Sequence, residues 1–100
     1  MPRQEPRWVR ISGDGLVYLG PGWLVDLVYE CSGQGNQLNV YDGQDAGSGR
    51  RLFRVFWDND RPFHAAFWPG YRFEVGIYID QSVADDWTVV NYQPDLPERV

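Results

Sequence analysis

Residues 38–49, LNVYDGQDAGSG, limit the folds open to this chain more than any other stretch. A β-type run there enters a turn so dense in Gly and Asp that no helix continues through it. A second run, FEVGIYID over residues 73–80, shows strict alternation. Phe73, Val75, Ile77 and Ile79 fall on one side of an extended chain, and Glu74, Gly76, Tyr78 and Asp80 on the other. Both runs read as strands with one buried face.

The same pattern recurs along the chain, each apolar run closed by Gly, Pro, Asp or Asn. Strands are expected near residues 9–12, 16–19, 24–31, 38–41, 51–57, 64–67, 71–79 and 87–92. Helical apolar spacing is absent from every long window, and β-branched and aromatic residues hold the apolar positions. A single helical turn near residues 82–86 is the most that is expected. About eight short strands in one small domain bury their faces either in two packed antiparallel sheets or in a closed barrel. The expected fold class is therefore all-β, with a small antiparallel β-sandwich of jelly-roll type preferred to the barrel. Val25, Leu27, Tyr29, Val40, Phe73, Val75, Ile77 and Ile79 are the expected core.

At 100 residues the chain makes one domain, and a domain this small buries only about two-thirds of its unfolded surface. Five Trp, six Tyr and five Phe carry more ring surface than one such core encloses. Some rings are thus expected at interfaces, with Trp8, Trp23, Trp57, Trp68, Trp87 and Arg54 as the candidate interface residues. Residues 1–7 (MPRQEPR) and 93–100 (QPDLPERV) each hold two prolines and lack periodicity. They are expected to be an extended arm and tail flanking a domain over residues 8–92.

All nine basic residues are Arg, and the formal net charge is −5. That balance disfavours nucleic acid, whose phosphates need a basic surface. No stretch approaches the ~20 apolar residues of a membrane helix, so no membrane partner is expected. Cys31 is the one cysteine, which rules out an intrachain disulfide or a thiolate metal cluster. Its alternation with Val25, Leu27 and Tyr29 reads as a small buried hydrophobe rather than a reactive thiol.

Catalytic arrangements are poorly supplied. His64 is the single histidine, and Ser12, Ser32, Ser48 and Ser82 all lack a nucleophile-elbow context. Asp42, Asp45, Asp58, Asp60, Asp80, Asp85 and Asp86 cluster in or beside turns, where Asp bonds its own backbone. Paired acids also suit glycosidic chemistry or calcium, but the Asp58–Asn59–Asp60 triplet lacks the Gly and Glu of a calcium loop. The Gly-rich stretches match no phosphate-binding motif and read as turns. Trp57, Trp68, Tyr71 and Trp87 would form a sugar platform if they clustered on one face. No enzyme activity, cofactor or metal is expected.

Residues 11–20 (ISGDGLVYLG), the strand residues of 22–30, the segment VYDGQDAGSG, and FEVGIYID before the closing WTVVNY together resemble a class of short tailed-phage proteins. The YDG turn followed by Ala-Gly-Ser-Gly, the Gly-Ile-Tyr segment and the TVxxY strand carry the likeness, which spans roughly residues 11–92. The resemblance implies a virion structural component, made in the host cytoplasm and often a small β-sandwich that decorates or cements a capsid. It implies the major capsid protein or other virion proteins as partners, a homo-oligomer with a trimer favoured, and no catalytic residues. The abundance of Trp and the two proline-containing ends depart from the class. A head–tail joining or tail component of the same fold, and a carbohydrate-binding module on a virion or host surface, are the alternatives.

Overall fold

The computed structural model describes residues 4–30, 36–45, 49–57, 61–81 and 86–95. Eight strands account for most of them, and no helix occurs among the described residues. They are β1 (Arg7–Ser12), β2 (Gly15–Leu19), β3 (Gly22–Glu30), β4 (Asn36–Asp42), β5 (Arg50–Trp57), β6 (Phe63–Phe73), β7 (Gly76–Gln81) and β8 (Trp87–Pro94). The pairings β1 with β8, β2 with β7, β3 with β6 and β4 with β5 are all antiparallel and nest one inside the next. Two further pairings, β3 with β8 and β4 with β7, join these into a first sheet of order β1-β8-β3-β6 and a second of order β2-β7-β4-β5. That order is a jelly-roll sandwich, the arrangement the alternating runs favour over a barrel.

The core lies between the sheets and holds Leu24, Leu27, Tyr29, Leu38, Val40, Leu52, Phe73, Ile77, Ile79, Val90 and Tyr92. Two expected core residues are not in it. Val25 sits at a bulge, for the pairing of β3 with both neighbours shifts between Leu24 and Asp26. The extra residue reverses the phase of the strand, so Leu24 points inward on one side of the bulge and Leu27 and Tyr29 on the other. Four residues of β6, 67–70, lie opposite this one position, because Leu24 pairs with Tyr71 and Asp26 with Ala66.

Val75 is the second exception, at 44% exposure. The run expected as one strand over residues 71–79 is two. β6 closes the first sheet at Phe73, and β7 opens in the second at Gly76. Glu74 and Val75 are the crossover between sheets, so the alternation that groups Val75 with Ile77 is interrupted there. The crossover passes close under β2, where a Cβ on Gly76 would lie 2.5 Å from the Tyr18 carbonyl oxygen. Only glycine fits that approach.

The ends are less free than two tails would be. β8 runs through Gln93 and Pro94, which pair with Trp23 and Gly22 of β3, so these residues belong to the sheet and the expected boundary at residue 92 moves outward. Pro94 is tolerated because it stands last in the strand. Its carbonyl accepts the Gln4 N–H at 2.7 Å, and Gln4 Nε2 donates to the Asp95 carbonyl at 2.8 Å. Gln4 and Asp95 therefore lie side by side at the end of β8. Residues 1–3, 31–35, 46–48, 58–60, 82–85 and 96–100, with Cys31, Ser32, Ser48, Ser82, Asp58, Asp60, Asp85 and the expected helical turn, lie outside the described residues.

Candidate functional site

The turn acids are built into the fold. Asp42 ends β4, and its carboxylate accepts the N–H groups of Glu74 (3.0 Å), Val75 (2.8 Å) and Gly76 (3.2 Å), with Arg50 at 3.7 Å. Burial pushes its pKa up, but the three N–H donors and Arg50 outweigh burial and hold the carboxyl below the usual range. Asp86 is fully buried, receiving the Tyr29 hydroxyl at 2.5 Å and the Asn36 amide at 3.0 Å. Gln81 ties the sheets together, accepting Thr88 Oγ1 at 3.1 Å and donating to the Gly13 carbonyl. These groups are already engaged with the protein's own polar atoms, which is the usual state of buried polar side chains.

At the chain ends, Arg72 donates to both oxygens of Asp95, at 2.7 and 2.9 Å, and to Glu74 at 3.0 Å. The hydrogen bond and charge of Arg72 hold the Asp95 carboxyl low, and the Trp23 side chain contributes in the same direction. The Arg72 guanidinium lies 5.1 Å from the Trp23 ring centre. Trp23 is thereby a ring fixed beneath an ion pair rather than a free docking group.

Solvent meets the protein mainly on two outer sheet faces. On the first sheet, register sets Trp8 of β1 opposite Asn91 of β8, then Asp26 of β3, then Ala66 of β6. The adjoining row is Arg10, Val89, Val28 and His64. Trp8 is 68% exposed. Asn91 Nδ2 donates to Asp26 Oδ1, and His64 Nε2 stands 4.0 Å from the other Asp26 oxygen. Arg10 covers the half-buried Trp87 ring at 4.6 Å. The outer face of the second sheet carries Leu16, Tyr78, Asp80, Asn39, Tyr41, Arg51, Arg54 and Phe56, with Arg54 stacked 4.3 Å from the Phe56 ring centre.

Of the candidate interface residues, Trp8 and Arg54 stand exposed on opposite faces, and Trp23 and Trp87 lie half-buried on the face of Trp8. Trp57 turns inward instead. It packs on Phe63 at 4.8 Å in an aromatic seam that runs on through Phe53, Phe67 and Tyr71 and closes the sandwich between β5 and β6. Trp68 lies in β6. Trp57, Tyr71 and Trp87 therefore do not share one platform, and the sugar face expected from them is not assembled in that form. Ser12 pairs with Trp87 on edge strand β1 and His64 lies on the opposite edge strand, β6, three strand spacings or about 14 Å away. That separation is too great for a nucleophile and its base. Asp26, Asn91, Arg10 and Asn39 are face residues that the sequence did not single out. Each occupies an outward strand position, and only cross-strand register brings it to its neighbours.

No family model matches the chain, and no curated protein or solved structure matches it.

Proposed function

We propose that the chain is a structural component of a tailed-phage virion, a capsid decoration or cement protein that binds the shell lattice as an oligomer and works by binding rather than catalysis. The observation that carries this reading is Trp8, whose indole is 68% exposed on the first sheet's outer face, a face that also holds half-buried Trp87 and Trp23. An exposed indole on a rigid strand is the kind of anchor that dominates binding energy once a partner pocket covers it. The likeness to short phage proteins supports the reading, because its motif residues do architectural work here: Asp42 of the YDG turn fixes the crossover into the Gly-Ile-Tyr strand. The jelly roll hosts viral capsid domains and lectins alike, so the fold does not choose the role.

In this mechanism the shell buries Trp8 and the neighbouring apolar surface, and Arg–carboxylate pairs at the rim fix orientation. The test is mass spectrometry of purified virions, followed by binding of the purified chain to empty shells. The expected outcome is recovery with the virion and shell binding that Trp8→Ala weakens without changing the thermal midpoint. Absence from virions overturns the reading.

A second reading, a carbohydrate-binding module, is favoured by one arrangement on the same face. The exposed Trp8 ring lies in line with the hydrogen-bonded Asn91–Asp26 pair, and a pyranose takes both a ring to stack on and polar groups for its hydroxyls. A glycan array with the native chain and Trp8→Ala separates the two: glycan binding lost in the variant supports this one.

A further inference from the structure

We propose that the outer face of the second sheet docks on the same face of a second copy of this chain, across a two-fold axis parallel to the strands. The inference does not depend on the virion reading. It rests on how charge is laid out across the strands. In the order β2, β7, β4, β5, one row reads Leu16, Tyr78, Tyr41, Arg51. The next reads Asp80, Asn39, Arg54, with Asp14, just before β2, accepting the Gln81 N–H at 2.7 Å. Acids thus occupy the β2–β7 side, two tyrosines the middle and arginines the β5 side.

Three features of this face are incomplete in a single copy. Asn39 is only 6% exposed, yet its Oδ1 has no hydrogen-bond donor among the described residues, and a buried acceptor without a partner is costly. Asp80 is pushed above the usual carboxyl range by burial and by the charge of Asp14. Neither Arg51 nor Arg54 has an ion pair among the described residues. Leu16, Leu19 and Phe56 add exposed apolar surface at 44%, 56% and 61%.

A two-fold axis along the strands brings the acids and the arginines together. It inverts the lateral order, setting β5 of one copy over β2 and β7 of the other. Arg54 of the second copy then meets Asp14 beside Asp80, while Tyr41 faces Tyr78 and Asn39 faces Asp80. Sheets stacked this way follow the aligned packing of sandwiches, about 10 Å apart. The in-plane two-fold across the strands keeps the lateral order and sets arginine over arginine and acid over acid, which like-charge repulsion disfavours. A two-fold pair takes the place of the trimer that the phage resemblance implied.

Sedimentation of the full chain over a concentration series is the test, with circular dichroism on every variant. A dimer is expected. Arg54→Glu or Asp80→Arg alone should weaken it about thirty-fold or more, and the double reversal should restore it. Phe56→Glu, at a residue exposed in the single copy, should also yield a folded monomer, and it serves if a charge reversal fails to fold. A monomer at all concentrations, a trimer, or a dimer indifferent to these changes overturns the proposal.

Discussion

The Asp42 carboxylate accepts the Val75 N–H at 2.8 Å across thirty-three residues of chain. One side chain thereby fixes the point where the polypeptide leaves the first sheet and enters the second. The two neighbouring N–H groups, of Glu74 and Gly76, share it, so the crossover's backbone donors are satisfied where neither sheet can pair them.

Asp42→Ala should therefore cost about 2–4 kcal/mol, because it strips an acceptor from three donors together. Urea denaturation measures it. The pH dependence follows from the same contacts. Asp42 and Asp95 both have carboxyls held below the ordinary value of 3.8. Their contribution is complete above that value and lost as pH falls through the lower native one. Thermal midpoints should thus decline below about pH 4, and less steeply in Asp42→Asn than in the native chain.

Deletions at the C-terminus should divide at Asp95. Removing residues 96–100 should leave the thermal midpoint within about 2 °C of the full chain. Extending the cut through Asp95 takes away the buried partner of Arg72, and about 1–3 kcal/mol should go with it after allowance for the partial exposure of Arg72. Calorimetry of the two truncations distinguishes them.

Val75 and Ile77 stand two residues apart and should respond oppositely. Ile77→Ala opens a cavity in the core and should cost about 2–5 kcal/mol. Val75→Ala removes exposed surface at the crossover and should change stability by no more than about 0.5 kcal/mol. Equal costs would mean that the strand continues unbroken through residue 75.

The two Asp-centred contacts of the first sheet should also differ. Tyr29→Phe removes a hydroxyl donor from fully buried Asp86 and should cost about 1–3 kcal/mol. His64→Gln alters an exposed side chain 4.0 Å from Asp26 and should lie within about 0.5 kcal/mol of the native chain. Chemical denaturation reads both.

The strands themselves were legible in the sequence because their causes are local. Alternation over a few residues places Leu27 and Tyr29, or Ile77 and Ile79, on one side of an extended chain, and the Gly and Asp of YDG stop the run wherever the chain ends up. The phase breaks are of another kind. The bulge at Val25 exists because β3 must match both β6 and β8, and the crossover at Val75 because Asp42 accepts its backbone N–H groups from thirty-three residues away. Neither cause lies within the window over which alternation is read. The functional faces follow the same division. Trp8 and Trp57 are alike in sequence, each an indole beside strand residues, and either could serve core or surface. Tertiary pairing turned Trp57 into the seam beside Phe63 and left Trp8 on the outer face, and it set Asn39 between Arg54 and Asp80. Local chain chemistry determined that this protein is a set of one-faced strands; register between distant strands decided which side chains share a face, because cross-strand neighbours are fixed by hydrogen bonding between segments far apart in the chain.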